Sequence, residues 1–347
     1  MNLYQDKMAL TYDDITLVPQ YSEIESRSEI SLTTNLNHFG DFEMPIIGSP
    51  MDTVCEVDMC RVLAKNGGFG VLHRYATIAD RANWARQLTD ENMVVAAAIG
   101  TTGDYFDEAR ILYDVGVRIF CVDVAHGHHV FMKKALENLR TFFGNTIHIM
   151  AGNVATAEGF EALVSWGADS IRVGVGGGSV CSTRVNTGNG IPNVTSLQLA
   201  KKIKDQLGSN VSIIADGGLR TSGDIVKAYA VGADFVMVGS LLAGTEETPG
   251  KIIEDASGTK RKEYRGMASR DAQSDWRGKV SVVEGVSSFL DYRGPVQPIL
   301  NTLIGGIKSG ISYAGISNKN DFCDNALYMV QTHASTIEGT PHFTRGR

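Results

Sequence analysis

The chain has 347 residues, 43% of them hydrophobic, and a formal net charge of −7 with no dense run of Lys or Arg, which allows a large core in one domain or two and excludes nucleic acid as a macromolecular partner. An anionic small molecule stays open, because helix N-termini and backbone N–H groups hold phosphate without surplus basic side chains. Apolar runs are strand-sized, the amino terminus lacks a signal region, and five cysteines without a Cys-x-x-Cys pair fit reduced thiols, so a cytoplasmic protein with no membrane partner is expected.

Eight short apolar runs recur in chain order, each closed by a polar residue or glycine and followed by a helix-like stretch. They are Pro45 to Gly48, Phe69 to Leu72, Val94 to Gly100, Arg118 to Val122, Ile147 to Met150, Ile171 to Val173, Ser212 to Ala215 and Phe235 to Val238. Strands alternating with helices imply a parallel sheet covered on both faces, and eight such units point to a closed (β/α)8 TIM barrel, an α/β fold. Gly67, Gly116, Gly167 and Gly232 stand where helices should end. Trp166-Gly-Ala-Asp169 and Val231-Gly-Ala-Asp234 nearly repeat one another at two of these joints, and Thr156 is placed to cap a helix whose stripe is Phe160, Leu163 and Val164.

Barrel chemistry lies at the carboxyl ends of strands, so the residues after each run are the candidates. In order these are Ser49-Pro-Met-Asp52, His73-Arg74, Gly100-Thr101-Thr102, Asp123 to His129, Gly152-Asn153, Gly174 to Thr183, Asp216-Gly217-Gly218 and Gly239-Ser240. Phosphate commonly sits after strands seven and eight, which assigns Gly218, Gly239 and Ser240 to phosphate and Asp216 to ribose hydroxyls, and so predicts a nucleotide monophosphate. The cluster His126, His128 and His129 has no second ligand set and reads as a loop, and Glu246-Glu247 reads as solvated.

The Gly174 to Thr183 segment carries the chemistry. Its glycines permit close ligand approach, and Cys181 at its far end is placed as a nucleophile, with Thr183 two residues on to relay a proton. Most free cysteines are small core residues, but Gly-Gly-Gly-Ser before this one and Ser-Thr-Arg after it argue for an exposed loop.

With these motifs the chain resembles the inosine-monophosphate dehydrogenase and guanosine-monophosphate reductase family over nearly its whole length. The matching stretches are Leu10 to Asp14, Met51 to Val54, Asp123 to Gly127, Ala151 to Thr156, Gly178 to Arg184, Ala215 to Gly218 and Tyr264 to Met267. The resemblance implies that Cys181 attacks purine C2 to form a covalent thioimidate, with Thr183 and Glu284 as a proton relay. It implies that Ser179, Asp216, Gly218, Gly239, Ser240 and Tyr264 hold the ribose phosphate, that Ser49, Met51 and Asn153 line the base pocket, and that Gly266, Met267 and Ala268 offer backbone contacts. Asp123 would face the nicotinamide cofactor with Thr101 nearby, and the carbonyls of Gly176, Gly178 and Cys181 match a monovalent-cation site, for potassium. A single catalytic domain over 1–347 is implied, with mobile segments at about 177–193 and 250–283, assembled as a homotetramer.

Two reactions share that adduct. The dehydrogenase passes hydride from IMP to NAD and hydrolyses the adduct, using a long flap with an adjacent Arg-Tyr pair; the reductase expels ammonia from GMP and takes hydride from NADPH. Here Met267 to Glu284 is short, and Arg270 and Arg277 precede Asp271 and Gly278, so the pair is missing. No regulatory insertion follows strand two, and Ser26 to Glu29 is reductase-like. Leu10 to Asp14 and the tail Ile337 to His342 are closer to dehydrogenases. Gly177 replaces a common proline or serine, Asn189 and Asn193 follow it, and Ala268 replaces a dehydrogenase glycine, departures that bear on cation affinity and loop closure. The expectation is an NADPH-dependent GMP reductase, with an NAD-dependent IMP dehydrogenase as the alternative and a non-catalytic purine-nucleotide regulator as a third reading.

Overall fold

A computed structural model describes residues 4, 8–37 and 39–341; His342, the last residue of the tail motif, lies outside them. Eight parallel strands close a (β/α)8 barrel: β1 (Ile46–Gly48), β2 (Phe69–Leu72), β3 (Ala96–Ile99), β4 (Ile119–Asp123), β5 (His148–Val154), β6 (Ser170–Val173), β7 (Ser212–Asp216) and β8 (Phe235–Val238), with β8 pairing back to β1. Each predicted run is one of these strands. The largest boundary difference is β5, which continues through Ala151–Val154 because Asp123 pairs with Gly152 and Val154 with Val173 on its two sides. Asn153 therefore stands inside a strand, while Asp123 and Asp216 are the last residues of theirs.

Helices coat the barrel: α1 (Val57–Lys65), α2 (Ile78–Asp90), α3 (Tyr105–Asp114), α4 (Val130–Phe143), α5 (Ala157–Ser165), α6 (Asn193–Leu207), α7 (Ser222–Ala230) and α8 (Gln297–Ser312). The Thr156 hydroxyl accepts the Gly159 N–H at the head of α5, and Phe160 and Leu163 are fully buried. Gly167 and Gly232 leave their helices at φ +93° and +115°, conformations a side chain would strain. The repeated Gly-Ala-Asp motif does one job twice. Asp169 accepts the Ile149 N–H and pairs with Arg140, and Asp234 accepts the Ile213 N–H and pairs with Lys204, so each carboxylate ties a strand to the neighbouring strand and a helix.

Inside the barrel, Ile47, Phe69, Val71, Ala98, Cys121, Met150, Ile214, Phe235 and Met237 interdigitate, and a hairpin of Thr34–Leu36 with Gly40–Phe42 plugs the amino end with Leu36 and Phe42. A packed interior leaves the carboxyl rim as the place for a ligand. No helix among the described residues is long and apolar enough to cross a membrane.

Candidate active site

The cysteine loop begins where β6 meets β7. Gly174 has φ +144° and lies so close to the Asp216 carbonyl that a Cβ would stand 2.1 Å from its oxygen, so only glycine fits. The loop then turns on a Cys181 N–H to Gly178 carbonyl bond of 3.1 Å and enters a short helix, Thr183–Thr187. Cys181 is exposed, whereas Cys55, Cys60 and Cys121 are buried and Cys323 is half-buried. The Thr183 hydroxyl donates to Glu284 Oε2 at 2.9 Å, which leaves its lone pairs to face the Cys181 sulfur at 3.2 Å. Thiol, hydroxyl and carboxylate thus form one line for a proton.

Backbone pairing supports that line. Cys181 bridges Gly285 antiparallel, the Ser182 N–H donates to the Glu284 carbonyl at 2.9 Å, and the Val286 N–H donates to the Val180 carbonyl at 3.0 Å. Glu284 precedes the strand Ser287–Asp291, which pairs with Lys260–Arg265 in a small antiparallel sheet over the rim.

The cleft beside Cys181 is lined by Ser49, Met51, Ser179, Asp216, Gly218, Gly239, Ser240, Tyr264, Gly266, Met267 and Ala268, together with Asp123, Gly178, Thr183 and Glu284. Residues from five strand ends and the overlying sheet therefore converge as their positions in the sequence suggest. The Ser179 and Tyr264 hydroxyls are 3.1 Å apart, and a Cβ on Gly239 would stand 3.2 Å from both Met51 Sδ and the Tyr264 oxygen, so backbone forms the cleft floor there. Past Ser240 the chain is held from behind. Arg293 donates to the Leu241 carbonyl at 2.9 Å, and the buried Lys262 ammonium donates to the carbonyls of Thr245, Glu246 and Thr248.

Three candidates stand off this cleft. Asn153 lies behind Asp216, its amide donating to Asp216 Oδ2 at 2.8 Å and to the Gly174 carbonyl at 2.9 Å. Thr101 opens on an adjoining pocket with Arg74, Thr102 and Arg277, which meets the first at Ala125. Gly176 packs on Arg184, whose guanidinium donates to the carbonyls of Val175 and Ile191. Of the discounted residues, His129 accepts the Phe131 N–H at the head of α4. Glu247 is half-buried and accepts the Val296 N–H at the start of α8, so it is a capping group instead of a solvated one.

Arg172 is the residue the sequence reading missed. It is buried in β6 and donates to Asp123 Oδ1 at 2.6 Å and to Asp216 Oδ2 at 2.8 Å, joining the two carboxylates across the barrel mouth. Burial opposes ionisation of Asp123, but Arg172 and Arg74 outweigh it and hold its carboxyl below the usual range. The signal was a charge in the apolar run Ile171–Val173, since a buried guanidinium requires partners.

Comparison with known proteins places this geometry. Residues 9–342 match the model of the IMP dehydrogenase / GMP reductase domain. The chain belongs to the IMP dehydrogenase/GMP reductase family. It is 30% identical to an inosine-5'-monophosphate dehydrogenase of Nitrosopumilus maritimus, over 97% of this chain and 98% of that one. It is 33% identical to the enzyme of that name from Cryptosporidium parvum, over 96% and 94%. A Cys-to-Ala variant of GMP reductase from Trypanosoma brucei, solved with guanosine 5'-monophosphate, superposes with a TM-score of 0.92 at 27% identity, covering 98% of this chain and 99% of that one. Membership makes the chain an oxidoreductase of purine nucleotide metabolism and leaves two reactions for the site.

Proposed function

We propose that this chain converts GMP and NADPH to IMP, ammonia and NADP through a covalent thioimidate at Cys181. The observation that carries the reading is the Cys181–Thr183–Glu284 line, closed by a short segment without an adjacent Arg-Tyr pair. The thiol gives its proton along Thr183 towards Glu284 as sulfur bonds to purine C2, and the same proton leaves with the C2 amino group as ammonia. Asp216, fixed at Oδ2 by Arg172 and Asn153, keeps Oδ1 for a ribose hydroxyl. Ser179, Tyr264 and the turn at Gly239 and Ser240 would take the phosphate, and the backbone of Gly266, Met267 and Ala268 the base edge. The chemistry required of a nicotinamide dinucleotide on the Asp123 side is one hydride to C2, which frees IMP as the carbon–sulfur bond breaks. The carbonyls of Gly176, Gly178 and Cys181 are neutral oxygen donors of the kind potassium takes, and an ion there would fix loop backbone without entering bond making.

The IMP dehydrogenase reading is favoured by the names of the relatives at 30% and 33% identity. Supplying the pure protein with GMP plus NADPH and, separately, IMP plus NAD decides between them. Turnover in the first mixture is expected; turnover confined to the second reverses the assignment, and tight nucleotide binding without turnover in either points to a regulator.

A further inference from the structure

Two departures in the cysteine loop, Gly177 and Asn193, meet in space. Asn193 opens α6 and is 4% exposed. Its amide nitrogen donates to the Gly217 carbonyl at 2.5 Å, in the turn after β7, and its amide oxygen accepts from Arg184 at 3.3 Å. Arg184 also donates to the Val175 carbonyl at 2.9 Å and the Ile191 carbonyl at 2.6 Å, and Val175 and Ile191 form a bridge, so the guanidinium gathers both stems of the loop. One buried amide therefore joins the loop that carries Cys181 to the turn that carries Asp216 and Gly218.

Gly177 makes room for that amide. Its φ is not positive, so backbone conformation does not demand glycine there, but a Cβ would stand 2.8 Å from both the amide nitrogen and the amide oxygen of Asn193. The two backbones leave no room for a side chain between them either, since a Cβ on Gly217 would be 3.1 Å from the Gly178 N. A side chain at 177 would therefore push the Asn193 amide off its bonds to the Gly217 carbonyl and Arg184. Only a carboxamide serves both ends, because aspartate keeps the acceptor for Arg184 but sets an anion against the Gly217 carbonyl.

We propose that Asn193 is a positioning residue that locks the cysteine loop to the turn after β7, with Gly177 left bare to admit it, so that a nucleotide seated on that turn fixes the Cys181 sulfur. The nucleotide half of this statement rests on the function proposed above; the lock itself does not. Asn193→Ala, Gly177→Ala and the double variant form a cycle with two readouts: turnover, and the rate at which iodoacetamide alkylates Cys181 in the nucleotide-free protein, followed on the Cys181 peptide by mass spectrometry. Each single variant is expected to lower kcat about thirtyfold with the nucleotide KM within about threefold, because the sulfur and not the phosphate seat is displaced. Each should also slow alkylation about fivefold as the sulfur leaves Thr183, and the double variant should match a single one, since the methyl at 177 then meets no amide. Asn193→Asp should behave as Asn193→Ala. Single variants within about twofold of the parent in both readouts, or losses that multiply in the double variant, overturn the proposal. A chain that turns over neither substrate pair still reports the cycle through alkylation, and if Asn193→Ala unfolds, Gly177→Ala in the surface loop decides alone.

Discussion

At the scale of single residues, the proposed reaction separates bond making from binding. Cys181→Ala removes the sulfur while leaving the phosphate seat at Gly218, Gly239 and Ser240, so turnover should vanish and the GMP Kd should stay within about threefold, measured by calorimetry. Substantial residual turnover would remove the cysteine from the mechanism. Thr183→Ala and Glu284→Gln break the proton line at 3.2 and 2.9 Å, and in single-turnover experiments deamination should slow about a hundredfold with a smaller effect on hydride transfer. Equal losses in both half-steps would count against a relay. Arg172→Met would leave the half-buried Asp123 and Asp216 without their common cation, at a cost of about 3 kcal/mol read from urea unfolding. The nucleophile and the turn residues were legible because the barrel alternation gathers every strand end on one rim, where serine, asparagine, aspartate and cysteine then stand together. Arg172 was not, because its partners sit on two other strands and no local pattern joins them.

At the scale of elements, the rim sheet and its helix are held by one buried carboxylate. Asp52, just past β1, accepts from Arg265 at 2.6 and 3.1 Å and from the Trp276 indole at 2.8 Å, and Arg265 also pairs with Asp275 at 2.6 Å. The helix Arg270–Arg277 is thereby pinned to the barrel, and Glu284 follows it in the chain. In Asp52→Ala, amides of this helix should exchange faster with solvent and kcat should fall at least about tenfold, since Glu284 loses its support; unchanged exchange would show that the anchor is idle. The barrel strands could be read from the sequence as apolar runs, but this element could not. Lys260–Arg265 is charged and without a clear period, and it becomes a strand by pairing with Ser287–Asp291 across the intervening helix. The extra length of β5 was hidden for a similar reason, as its polar end is held in register by neighbours on both sides.

At the scale of the whole molecule, the fold was legible because alternation is a global pattern that survives boundary errors of a few residues. Closure also buries groups that no strand requires. Lys319 is 4% exposed, lies 4.9 Å from the Tyr229 ring centroid and donates to the Asp234 carbonyl at 2.7 Å, and burial pushes its pKa down to about 8 from 10.5. Between those two values the unfolded chain holds a proton that the folded chain has released, so stability from this group rises with pH from about 8 to 10.5 and has no slope below. The difference in unfolding free energy between the parent and Lys319→Met should follow that rise, by roughly 3 kcal/mol across the window; a flat difference would place the lysine's proton elsewhere. Since Cys181 and Gly285 share an antiparallel bridge, nucleophile and acid ride on a single cartridge. A displacement that keeps this bridge would carry the sulfur and the Glu284 carboxylate together, so that in the proposed reaction the thiol would not part from its proton partner while the loop moves.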